Sequence, residues 1–157
     1  MDRVPSAAPH IPFIRRAEGR DIAALAALYQ SLVPDNPRIR VLPERVEGLR
    51  SDPASLLIVA EVAGEVRGTV FVTLCADVMF GERPYAVLEN FVVAPAARGQ
   101  GLGTRLLSHA EALCREHACT KMMLLSAVGR TDAHRLFERL GFRGDLSRGF
   151  KKYLGRG

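Results

Sequence analysis

The sequence contains few cysteines, and their spacing argues against the two kinds of site that cysteines usually build. The 157 residues include three of them, Cys75, Cys114 and Cys119, without a C-x-x-C pair. An odd number does not suit a disulfide framework, and no histidines lie at the spacing of zinc ligands. We therefore expect no metal site, and we interpret the three as small core side chains.

Long apolar runs are also lacking. No stretch approaches the roughly 20 consecutive apolar residues that a membrane-spanning helix needs. The mean hydropathy of +0.05 is typical of a soluble globular protein. The first residues, MDRVPSAAPHIPF, do not contain the apolar run of an export signal. The sequence thus predicts a cytoplasmic protein that does not interact with membranes.

Blocks of basic residues, internal repeats and low-complexity segments are absent as well. The net charge of +5 results from 22 Lys and Arg against 17 Asp and Glu, spread along the chain. Without a basic block, interleaved aromatics or a helix-turn-helix pattern, we expect no nucleic-acid partner. The length suits one domain. We assign residues 1–11 to a flexible tail and 12–157 to that domain.

What the chain does contain is an alternation of strand and helix patterns. The predicted strands are 12–17, 56–62, 66–75, 85–93, 121–126 and one or two short strands formed by Phe142 and 150–154. The predicted helices are 22–32 with Asp21 as N-cap, a short one at 43–50, 103–117, and 133–140 ending at Gly141. The unit from 85 to 126 has the β-α-β order of a parallel strand pair.

One stretch, Glu89 to Leu107 (ENFVVAPAARGQGLGTRLL), organises the rest. An apolar strand leads through a turn at Ala94-Pro95 into a glycine run, and an amphipathic helix follows. Glycines directly ahead of a helix leave several backbone N–H groups directed at one point, with no side chains to block approach. This pattern predicts a site for a phosphate or pyrophosphate.

The glycine run and its neighbours resemble the GNAT superfamily of acyl-CoA-dependent N-acyltransferases. The family pattern R/Q-x-x-G-x-G/A is matched by Arg98, Gly101 and Gly103. The preceding LENFVV-x-P and the later A-x-x-x-F-E-x-x-G-F, which ends at Phe142, resemble the family's fourth strand and penultimate helix. The likeness covers residues 14–154. It implies a mixed α/β fold: a mostly antiparallel sheet, with a splayed parallel pair at strands 4 and 5, flanked by helices.

The resemblance also implies acetyl-CoA as the cofactor. Phe91, Val92 and Val93 would hydrogen-bond the pantetheine arm through their backbone at a bulge, and Phe137 would pack against the cofactor or the core. The residues that would surround the pyrophosphate are Arg98, Gly99, Gln100, Gly101, Leu102, Gly103 and Thr104.

For the catalytic step, the sequence offers a candidate base but not the family's usual acid. An amine is protonated at neutral pH and must lose a proton before it attacks a thioester. In many family members a glutamate at the position of Glu89 removes it; the alternative is a solvent-facing or ion-paired strand residue. The family's usual acid is a tyrosine, and here Phe137 stands in its place. The acid is therefore unassigned among Ser126, His134, Tyr85 and water.

The leading functional prediction is acetyl transfer to a primary amine of a small molecule or peptide, by direct attack in a ternary complex. The loss of the tyrosine leaves a non-catalytic acyl-CoA-binding or sensing module as an alternative. Residues 118–124 resemble glucosamine-6-phosphate N-acetyltransferases, so an amino-sugar phosphate acceptor is another. The arginine-bearing segment 33–53 is either a surface loop or one that closes over an acidic or phosphorylated acceptor. The last strand could pair in a homodimer.

Overall fold

The fold is a five-stranded mixed sheet between two layers of helices. The computed structural model describes residues 10–155, so residues 1–9 of the predicted tail lie outside the described part. The strands are β1 (Phe13–Arg16), β2 (Ser55–Val62), β3 (Glu65–Cys75), β4 (Tyr85–Val93) and β5 (Met122–Leu124). The helices are α1 (Ile22–Leu32), α2 (Pro43–Arg50), α3 (Leu102–Glu116) and α4 (Thr131–Arg139).

The sheet order is β1-β2-β3-β4-β5. The first three pairings are antiparallel, and β4 and β5 are parallel, joined by α3. These pairings confirm the predicted mixed α/β fold. None of the helices within residues 10–155 combines the length and the apolar character needed to cross a bilayer.

Alternation along the strands gives the sheet two apolar faces. Ile58 and Val70 belong to the core cluster beneath α3 and α4, whereas Leu57 and Val59 belong to the cluster beneath α1 and α2. Successive side chains of a strand point to opposite faces, so helices can cover both. The α3 layer fixes the glycine run at one end of β4.

Asp21 precedes α1 as predicted, but its side chain does not cap that helix. Its two carboxylate oxygens instead accept hydrogen bonds from the Arg15 guanidinium at 2.7 and 2.9 Å, and one of them also accepts from the Glu18 N–H at 2.8 Å. Arg15 donates further to Glu61 in β2. The acid therefore links β1, β2 and the start of α1 instead of satisfying the helix N–H groups.

Replacing Asp21 by asparagine should lower the free energy of unfolding by about 2–3 kcal/mol at pH 7, because a largely buried guanidinium loses a charged partner. Burial alone would raise the pKa of Asp21, but the hydrogen bonds from Arg15 and Glu18 outweigh it and lower the pKa below 3.8. The contribution is thus complete above the unfolded-state pKa and is lost as pH falls through the folded-state one. Urea unfolding from pH 7 to about 2.5 measures this loss.

The control for that experiment is Asp145→Asn, which removes an exposed partner of Arg143. Exposed pairs contribute little, so this variant should unfold like the wild type. An Asp21→Asn penalty that stays equal across the acid range would contradict the charge interpretation.

The prediction of strands at Phe142 and 150–154 is wrong. Within the described residues β5 is the last strand, and the chain after α4 is irregular. The ring of Phe142 packs edge-on against that of Phe137, with 6.0 Å between the centroids. Phe142 therefore contributes to core packing and not to a β-ladder. The segment 143–155 contains three glycines and no hydrogen-bonded neighbour strand, which a β-strand requires. The predicted homodimer loses the strand edge on which it depended.

Candidate active site

The β4–β5 pair separates halfway along β4. Register pairs join Ala86 to Met122 and Leu88 to Leu124, after which β5 ends while β4 continues to Val93. The predicted strand at 121–126 is thus only three residues long in the structure. Beyond Leu88 this edge of β4 pairs with no strand formed by residues 10–155, and a gap opens between β4 and the chain that follows β5.

A β-bulge lies at the start of this gap. Phe71 pairs with Glu89 and Thr69 with Val92, so two residues of β4, Asn90 and Phe91, oppose one residue of β3. Asn90 has a φ of +54°, a conformation in which asparagine is among the favoured non-glycine residues. The extra residue re-aims the strand, which is a common use of bulges next to functional sites.

Two arginines occupy the free edge of β4. Arg130, directly before α4, donates from Nη2 to the Phe91 carbonyl at 3.1 Å, and Arg98 donates from Nε to the Val93 carbonyl at 3.1 Å. Burial, and then the positive charge of Arg98, lower the pKa of Arg130. Among residues 10–155 neither guanidinium forms an ion pair. This edge is therefore electropositive and suited to an anion.

The glycine run supplies a row of free donors beside these arginines. Gly99 and Gly101 have φ values of +75° and +79°, and a Cβ on either would meet no atom within 4 Å, so backbone conformation explains the glycines. The first helical hydrogen bond of α3 runs from the Arg105 N–H to the Gly101 carbonyl at 3.1 Å. Within the described chain, the consecutive N–H groups from Gly99 to Thr104 donate to no protein acceptor.

Not all predicted cofactor residues present a side chain to this loop. Leu102 and Val92 are buried in the core, whereas Gln100 and Thr104 are exposed. A Cβ on Gly103 would lie 2.9 Å from Leu136 Cδ2 and 3.2 Å from Phe91 Cζ. The glycine at 103 therefore allows α3 to approach α4 and β4.

Phe137 belongs to the core. It is 6% exposed, and its ring centroid lies 5.7 Å from that of Phe91. A phenylalanine side chain has no proton to donate, and at this position the ring packs in the core.

Glu89 is exposed beside the bulge, and within residues 10–155 no cation lies within ion-pair distance of it. Of the candidate acids, Tyr85 is at the far end of β4, roughly 17 Å from Asn90 at the rise of a strand. Ser126 and His134 instead form a pair, with Nε2 3.2 Å from Oγ. Ser126 follows β5 where that strand has left β4, on the opposite side of the gap from Asn90.

A cavity of about 390 Å³ adjoins the bulge on the α1 and α2 face of the sheet. Asn90 of β4 lines it, together with Phe71 and Leu57 of the sheet, which we call its floor, and residues 39–42 of the segment before α2. The side chains that provide most of its walls are apolar. Two arginines, Arg40 and Arg45, also line it. The segment 33–53 therefore forms one wall of a cavity instead of an isolated surface loop, and its predicted helix is α2.

A larger cavity, about 590 Å³, lies alongside α1, where residues from Ala23 to Ser31 line it. Its charged side chains include Arg15 with Asp21 and Glu61, and Arg67 with Glu65, which form ion pairs with one another. None of the predicted site residues lines it, so its size alone does not make it the active site.

The sequence matches the Acetyltransferase (GNAT) family over residues 23–142. The chain belongs to this family. It is a GNAT acetyltransferase, and the enzyme class predicted from the glycine run is confirmed. An aminoglycoside N(6')-acetyltransferase type 1 of Stenotrophomonas maltophilia is 31% identical over 135 residues, which cover 83% of this chain and 86% of the relative.

Solved structures agree with this assignment. One from Agrobacterium tumefaciens, assigned as an acetyltransferase, has a TM-score of 0.82 at 28% identity and covers 90% of this chain and 99% of its own. Glucosamine-6-phosphate N-acetyltransferase from Arabidopsis thaliana has a TM-score of 0.77 at 23% identity, with 92% and 99% covered. At 23% identity, the similarity to the Arabidopsis thaliana structure shows only that the two chains share a fold.

In this GNAT acetyltransferase two of the three cysteines, Cys114 and Cys119, are poor nucleophiles. Cys114 is 2% exposed, and burial raises the pKa of its thiol to about 12. Cys119 is half-buried, and burial raises the pKa of its thiol too. Thiolates are the reactive form, so neither suits a covalent acetyl carrier.

Sequence reasoning missed Asn90 and Arg130 in this site. For Asn90 a signal was available, because asparagine is rare inside an apolar strand and favours a left-handed conformation. For Arg130 there was none, since its partner carbonyl lies 39 residues away.

Proposed function

We propose that the protein transfers an acetyl group from acetyl-CoA to a primary amine of a small molecule, by direct attack in a ternary complex. The observation that supports this most is the row of free N–H donors from Gly99 to Thr104, next to the free edge of β4. Six adjacent N–H groups that have no acceptor among residues 10–155 suit a diphosphate. The free strand edge suits an extended arm that carries amide groups.

The fit to coenzyme A can be described residue by residue. The N–H groups at 99–104 would bind the pyrophosphate, with the positive end of the α3 dipole behind them. Arg98 and Arg130 would neutralise it, which also relieves their mutual repulsion. The backbone groups of Phe91 and Val93 would bind the pantetheine arm once the arginines release those carbonyls.

Acetyl-CoA supplies an acetyl group activated as a thioester, which a neutral amine attacks while the carbon–sulfur bond breaks. Glu89 would accept the proton of the ammonium, directly or through water, at the edge of the 390 Å³ cavity where its neighbour Asn90 lies. The half-buried Ser126–His134 pair stands across the gap and would give a proton to the sulfur. Phe137 has no such role.

The test is release of free CoA from acetyl-CoA with a panel of primary amines, together with calorimetric titration of CoA. We expect saturable CoA binding and turnover with at least one amine. Tight CoA binding without turnover of any aminoglycoside, amino-sugar phosphate, amino acid or peptide would contradict the proposal. The acceptor in the panel's best reaction also decides between the amino-sugar phosphate and the other classes.

A further inference from the structure

The cavity beside Asn90 is lined by two kinds of side chain, and together they restrict the acceptor. Its floor and walls are apolar, with Leu57 and Phe71 from the sheet and Val46 and Leu49 from α2. Val46 is 3% exposed and Leu57 is 7% exposed, so this part of the wall is continuous with the core. An apolar surface of this kind gains free energy only when an apolar group covers it.

The charged side chains that line the cavity have one sign. Arg40 and Arg45 line it, and both are exposed. In the part of the chain that the structure describes, neither forms an ion pair or a side-chain hydrogen bond, and the lining contains no carboxylate. Unpaired guanidiniums favour a carboxylate or phosphate and oppose a further cation.

The part of the cavity at the bulge differs from the rest of its lining. Asn90 lies there, and its neighbour Glu89 pairs with Phe71 of the floor, so an amine bound at this point would lie beside the thioester. Arg40, from the loop before α2, and Arg45, from α2 itself, supply two guanidiniums. A molecule bound in the cavity would thus present its amine at the bulge, an apolar group to the floor and an anionic group to the guanidiniums.

We propose that the acceptor is a small amine that carries both an apolar group and an anionic group. This inference rests on the proposed acetyl transfer and narrows its acceptor. It separates this chain from its aminoglycoside-acetylating relative, because an aminoglycoside carries several positive charges and little apolar surface. A site for such a polycation requires carboxylates, and this lining has none.

The experiment measures kcat/KM for four amines that separate the two requirements. Phenylalanine has the apolar and the anionic group, phenethylamine only the apolar one, glucosamine 6-phosphate only the anionic one, and kanamycin neither. We expect phenylalanine to be the best of the four, by about tenfold or more over phenethylamine, since two charge-assisted contacts are lost. Calorimetry of each amine without acetyl-CoA gives the same ranking independently of turnover.

The double variant Arg40→Gln/Arg45→Gln should remove the preference for phenylalanine over phenethylamine and leave CoA affinity unchanged. Arg38→Gln is the matched control, because Arg38 belongs to the same loop and does not line the cavity. Kanamycin or glucosamine 6-phosphate as the best substrate would overturn the inference while the acetyltransferase activity stands. If none of the four amines is bound or acetylated, the inference about the acceptor is overturned. The proposed acetyl transfer would still stand if the protein acetylates other amines.

Discussion

Replacing Gly101 by valine should raise the Kd for coenzyme A by roughly 100-fold. Gly101 has a φ of +79°, a region in which a β-branched residue is a strained outlier. The valine would either bear a strain of about 1–3 kcal/mol or rotate the peptide and turn neighbouring N–H groups away. Losing two charge-assisted hydrogen bonds to a phosphate has the same order of magnitude. Isothermal titration of CoA measures the change.

Gly81→Val is the matched control for this substitution. Gly81 also has a positive φ, +69°, and open space around its Cβ, but it lies in the turn at the opposite end of β4. Both variants should lose similar stability in thermal unfolding, and only Gly101→Val should lose CoA affinity. An unchanged Kd in Gly101→Val would mean that the glycine run is an ordinary turn.

The features that were predicted correctly from the sequence are those that depend on residues close together in the chain. The hairpin of β2 and β3 follows from two β-rich runs around Ala63 and Gly64, both of which have positive φ values. The start of α3 follows from the glycine run, and the end of α4 from Gly141. Each depends on backbone preferences that act within a few residues.

The features that the sequence could not predict depend on partners distant in the chain. Arg130 reaches the Phe91 carbonyl across 39 residues, and no local pattern distinguishes it from a surface cation. The wrong prediction of C-terminal strands has the same cause. Phe150 and Tyr153 have strand-forming side chains, but a strand forms only where another edge pairs with it, and they are 86% and 84% exposed.

The cavity on the α1 and α2 face shows an intermediate case. The arginines of segment 33–53 indicated an anionic acceptor from composition alone. The apolar floor beneath them, provided by Leu57 and Phe71, became visible only when β2, β3 and α2 were packed together. Composition thus indicated the anionic half of the proposed acceptor, and tertiary packing indicates the apolar half.

Replacing Glu89 by glutamine should lower kcat by about 100-fold or more, within the range ascribed to a positioned general base. Glutamine keeps the size and cannot accept the ammonium proton. Because Glu89 is exposed, stability should change by less than about 0.5 kcal/mol, and CoA affinity should be unaffected. The loss should shrink as pH rises towards the pKa of the acceptor amine, where solvent already supplies the neutral form. Steady-state CoA release as a function of pH measures both effects.

The control is Glu138→Gln, which removes an exposed carboxylate from α4 and not from β4. It should retain wild-type kcat across the same pH range. A Glu89→Gln variant with kcat within about threefold of wild type would reject Glu89 as the base, since a positioned base contributes far more than that. A loss that is independent of pH would also contradict proton removal, because only a missing base is replaced by a higher supply of neutral amine. The two variants together thus separate a chemical role of Glu89 from a general effect of lost negative charge.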